Sequence, residues 1–147
     1  MSDSIRQQII DKIDTRFKAI KTTGGYKTNI GNNVFDWLGR DLADTELDAL
    51  IYRDKTNEVI GTEFGAISNR ITLEIEIKTK SGSMTARQTR MMIADVYKAI
   101  GTDETWGGLA MFTVPRGEVM EQDFADKKIG SATITVEIEY ATATWQY

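Results

Sequence analysis

The chain has 147 residues, 41% of them apolar and 27% charged, the size and balance of one globular domain. It contains neither cysteine nor histidine, which excludes disulfides, thiolate metal sites, and the commonest general base and metal ligand at neutral pH. A net charge of −4 with no run of Lys and Arg argues against a nucleic-acid binder, and with no long apolar stretch and no basic N-terminal region the expectation is a soluble, unexported protein off the membrane.

Ile5, Ile9, Ile13 and Phe17 recur every fourth residue, and Ile10 and Ile20 widen the stripe, which predicts an amphipathic helix. Ser4 and Gln7 have the spacing of a reciprocal capping box, and Gly24-Gly25 ends the helix. After a connector through Tyr26 and Gly31, Val34–Trp37 has the composition of a short strand. A polar loop carrying Asp41, Asp44, Glu46 and Asp48 leads into a buried strand over Ala49–Arg53, and a loop through Asn57 and Gly61 follows. Ile71, Leu73, Ile75 and Ile77 alternate with polar residues, the pattern of a half-buried strand over 70–80, which Ser81-Gly82-Ser83 breaks.

Thr85 and Gln88, again at capping-box spacing, open a second helix whose core candidates are Met92, Ile93, Val96, Tyr97 and Ile100, with Gly101 as its stop. Trp106 falls in the loop from Thr102 to Gly108. Leu109–Val114 is the next expected strand, and Pro115 limits how far it runs as a central one. Arg116–Lys128 is charged and receives no assignment. Ala132, Ile134, Val136, Ile138 and Tyr140 alternate with polar residues in a second long half-buried strand.

Two long strands with one polar face fit an antiparallel sheet, and two amphipathic helices suffice to cover its apolar face. The expected fold is a single α+β domain over 1–147: a mainly antiparallel sheet of about four to five strands with two amphipathic helices packed on one face.

The chain nominates no catalytic, cofactor-binding or metal-ligating residues, and no cofactor. A Ser-Lys pair is the only serine chemistry open to it, and no motif singles one out. Gly101–Gly108 lacks the spacing of a phosphate cradle, and Asp41–Asp48 lacks that of a calcium loop, so both are expected to be ordinary solvated loops. Glu74 with Glu76, and Glu137 with Glu139, lie two residues apart, which places each pair on the wet face of a strand as a solvated or subunit-contact surface. Trp37, Trp106, Trp145 and Tyr147 lie outside the regular stripes and are candidates for a partner interface, although Trp37 and Trp106 equally suit a role plugging the ends of the core.

Taken in order, several of these segments resemble the tail terminator proteins of tailed bacteriophages, also called minor tail or tail completion proteins. The resemblance is carried by Thr23–Gly31, Val34–Trp37, Glu46–Asp54, Ile71–Ile77, Ile93–Gly101, Thr105-Trp106-Gly107-Gly108 and Ile134–Thr142 with Trp145, and so spans nearly the whole chain. Asp48, where the family often has proline, and Ala141, where it often has a basic residue, depart from the pattern. The resemblance implies a non-enzymatic subunit of a hexameric ring at the head-proximal end of the tail. There it would stop tail tube growth and offer a docking surface to the head-tail connector, with DNA passing through without specific binding and with Glu74, Glu76, Glu137 and Glu139 as candidates for the lumen or a subunit-contact face. It also implies a virion protein of the neck region, assembled in the host cytoplasm. The alternatives from other classes are a small-ligand enzyme or sensor on an α+β scaffold and a monomeric adaptor.

Overall fold

The structure, a computed structural model, describes residues 3–80, 85–123 and 129–145. The isoleucine stripe forms α1, Ile5–Lys18, with Ile9, Ile13 and Phe17 fully buried. Ser4 caps it by accepting from the Gln7 amide at 3.0 Å, but the Gln7 side chain donates to Asp11 instead, so only half of the expected box forms. The helix stops ahead of Gly24-Gly25, because Ile20 turns into the core and its carbonyl accepts from the Gly31 amide at 2.9 Å. That approach requires glycine at 31: a Cβ there would lie 2.6 Å from the carbonyl oxygens of Ile20 and Lys18.

Strands β1 (Val34–Asp36), β2 (Ala49–Glu63) and β3 (Ala66–Lys80) precede α2 (Thr85–Gly101), and β4 (Phe112–Asp123) and β5 (Ile129–Ala143) follow it. They form one sheet in the order β1-β2-β3-β5-β4, antiparallel throughout except for the short β1–β2 pairing. The α+β expectation holds, with two helices against one face of a five-stranded sheet. Leu50, Tyr52, Ile71, Leu73, Ile75, Ile77, Ile134, Val136 and Ile138 point to the helices and share one core with Ile9, Phe17, Met92 and Val96.

Two strands run further than their sequence pattern suggests. β2 continues to Glu63, where a loop through Asn57 and Gly61 was expected, and pairs with β3 along its length. Its distal half projects past the core with exposed residues on both faces, and register shifts at Lys55 and Ile60 break the alternation, so no period of two survives. The turn between β2 and β3 is Phe64-Gly65, with φ of 45° and 82°, the left-handed pair of a two-residue hairpin loop. β4 likewise passes Pro115 and runs to Asp123: it is an edge strand, and a bulge at Arg116 absorbs the proline.

The capping expectation for α2 is corrected as well. Thr85 lies within the helix, and the Gln88 side chain donates to Asp48 at 3.0 Å. Tyr97 is only partly buried, its hydroxyl bonded to Glu118 of β4. The sheet face turned away from the helices is not uniformly wet either. The segment Leu38–Leu42 lies against Ile51, Arg53, Glu76 and Lys78, and Ile51 on that face is 3% exposed.

Candidate assembly surfaces

Beyond the core, β2, β3 and β5 continue as a three-stranded arm. Asn57, Asn69, Thr142 and Tyr140 tie the three strands at its base: Asn57 donates to Asn69 at 3.1 Å, Asn69 to Thr142 at 3.3 Å, and Tyr140 to Asn57 at 2.7 Å. A buried polar chain of this kind specifies register, because a slip would leave each member unpaired. At the end of the arm the Thr144 amide donates to the Gly65 carbonyl at 2.8 Å, which sets Trp145 beside the hairpin tip. Phe64 is 100% exposed and Trp145 92% exposed. Both have left-handed backbones, with φ of 45° and 67°, a conformation that costs a bulky L-residue about 1–2 kcal/mol.

The other candidate aromatics divide. Trp37 is 49% exposed, and its indole nitrogen donates to Asp54 at 2.7 Å, so the ring is pinned where β1 ends beside β2. Arg6 completes this corner with its own ion pair to Asp54. Trp106, by contrast, is fully buried and leaves the interface set. Its indole donates to Thr113 at 2.8 Å, and the Arg16 guanidinium stacks 4.0 Å above the ring. Asp103 organises this loop by accepting from Thr105 and the Gly107 amide, and these bonds, with Arg16 nearby, hold its carboxyl down at about 2. Tyr147 lies outside the described residues.

Glu74, Glu76, Glu137 and Glu139 share the open face of the sheet, all half-buried. They stand among cations: Arg70 bridges Glu137 at 3.0 Å and Glu139 at 3.5 Å, Arg116 also pairs with Glu137, and Arg53 pairs with Glu76. Glu74 makes no ion pair with a described residue. The face is therefore a mosaic of both signs, not an acidic sheet. A second acidic corner joins Asp11, Asp14 and Asp36 below Tyr52, whose hydroxyl donates to Asp14 at 2.8 Å. Partial burial, then the charges of Asp54, Asp14 and Asp11, raise the Asp36 carboxyl above its usual range.

No group of acids among the described residues is arranged to hold a metal ion. Grooves of about 560 and 290 Å³ between the 38–47 segment and the open face are lined by charged residues such as Asp41, Glu76 and Lys78. No helix among the described residues is long and apolar enough to cross a membrane.

Phe64 was absent from the sequence candidates, as were Phe112 and Val119 of β4, which are 40% and 62% exposed. A Phe-Gly dipeptide between two strand-like runs was the available signal for the tip; exposure itself has no sequence signature. The chain matches no protein-family model and no curated protein.

Proposed function

We propose that this chain is a non-enzymatic structural subunit that assembles into a ring at the head-proximal end of a phage tail, where it ends tube growth and offers the connector its docking surface. The observation that carries the assembly reading is the arm tip. An asparagine at position 64 would satisfy the left-handed turn at less cost and keep an apolar ring out of water. Phe64 and Trp145 combine backbone strain with nearly complete exposure, which is the pattern expected of residues kept for a partner. The resemblance to tail terminators supplies the place in the particle.

Light scattering and electron microscopy of the purified chain, and of particles containing it, test the ring directly. Phe64→Asn tests the tip: it raises Tm by a few degrees, as a better hairpin turn should, and weakens assembly or tail docking at least tenfold. A variant that melts higher and assembles unchanged removes the tip from any interface. Particles lacking the protein should carry tail tubes of uncontrolled length, and tubes of normal length joined to heads would refute the role at the tail end.

A further inference from the structure

We propose that neighbouring copies in the ring join edge to edge, β4 of one pairing antiparallel with the distal half of β2 of the next. This rests on the ring reading above. The sheet has two unfinished edges. β4 is outermost on one side. On the other, β1 pairs only with Leu50–Tyr52 and leaves the lane beside residues 55–63 of β2 empty among the described residues. Among the described residues, each edge presents a row of unpaired backbone donors and acceptors, which is an invitation to another strand.

Strand direction selects the partner. From β2 through β3 and β5 to β4 every pairing is antiparallel, so β4 runs opposite to β2 of its own chain. A second copy in the same orientation, set beside β4, therefore offers its β2 in the antiparallel sense, and the alternation continues unbroken. Pairing two β4 edges about a two-fold axis would leave the distal β2 edge of both copies exposed. Head-to-tail pairing that closes covers both of these edges in every copy.

The lane is also the right size. It is nine residues long, and β4 supplies 12. Across the sheet Val119 stands level with Ile51, through Thr133 and Glu76. To enter the lane of the next copy above β1, β4 must advance by about four ladder positions, because the bulge at Lys55 takes up one residue, or roughly 14 Å over a repeat of four strands roughly 19 Å wide. That inclines the strands by about 35° to the ring axis, at the lower end of the range closed sheets adopt. Val119 then arrives near Thr56, both on the open face and both exposed.

The absence of cysteine makes the test clean. The double variant Val119→Cys/Thr56→Cys is treated with a bismaleimide whose reach of about 10 Å covers two strand spacings. A ladder of multimers beyond the dimer is expected, while each single variant stays monomeric on a denaturing gel and an equimolar mixture of the two singles stops at dimers. Dimers from Val119→Cys alone would show two-fold pairing and overturn the inference. So would a preparation that forms rings by microscopy and yields no ladder, although the ring reading would then survive. Neither rings nor multimers, in purified protein and in particles alike, would defeat both.

Discussion

Asp95 shows how much of this fold hangs on single polar side chains. It is 3% exposed on α2 and accepts from the amides of Lys27 and Thr28 at 3.0 and 2.7 Å and from the Thr28 hydroxyl at 2.6 Å. These bonds fasten the connector after α1 to the second helix. Asp95→Ala would leave a buried amide and hydroxyl unpaired, at a cost of about 2–4 kcal/mol by urea unfolding. Asp36 works in the other sense. Its folded carboxyl is raised above its unfolded value, so between the two the folded chain keeps a proton that the unfolded chain has already released. Its contribution is therefore favourable at low pH and lost as pH rises from the unfolded value through the folded one. Asp36→Asn should raise Tm at pH 7 and leave it unchanged near pH 3, as thermal melts at the two pH values would show. A gain of equal size at both would mean that charge has no part in it.

Among the elements, α1, β3 and β5 were legible because each lies against the core along most of its length, so burial imprints its period on the residues. In β3 every second residue from Asn69 to Thr79 is buried, and in β5 every second residue from Gly130 to Thr142. Ile75→Ala and Ile134→Ala, both at 0% exposure, should each cost about 2–5 kcal/mol. Thr135→Ala on the open face should stay within about 0.5 kcal/mol. Equal losses on the two faces, by denaturant titration, would mean that the open face is packed as a second core. Distal β2 and the later part of β4 were illegible for the converse reason. They reach past the helices or lie at the sheet edge, so neither face is selected to be apolar, and bulges at Lys55, Ile60 and Arg116 shift what alternation remains.

At the scale of the whole molecule, edge-to-edge assembly with every copy in one orientation would gather the arm tips on one rim, so that Phe64 and Trp145 form a crown facing whatever stacks on the ring. The open face would then form a continuous wall, on which Arg53, Arg70 and Arg116 offset the glutamates. A wall so balanced should let DNA pass without holding it. Filter binding of rings to duplex DNA at about 150 mM salt should detect no retention, whereas a strongly salt-dependent affinity would mean that a basic surface lines the passage.

Composition and periodicity by themselves determined the class of the protein: one α+β domain, which elements face the core, and the missing side chains of common catalysis. These follow from local chemistry, since burial of one face writes a period into each element wherever the core reaches. Where the chain is exposed was decided only by the tertiary structure. The sequence cannot distinguish a tryptophan stacked under Arg16 from one standing bare at a strand end, because Trp106 and Trp145 both sit outside any period. Nor can it show which strand is outermost, since that depends on β5 inserting between β3 and β4, a pairing between residues far apart in the chain. The free edges and the bare arm tip, on which the proposed assembly rests, are properties of that arrangement.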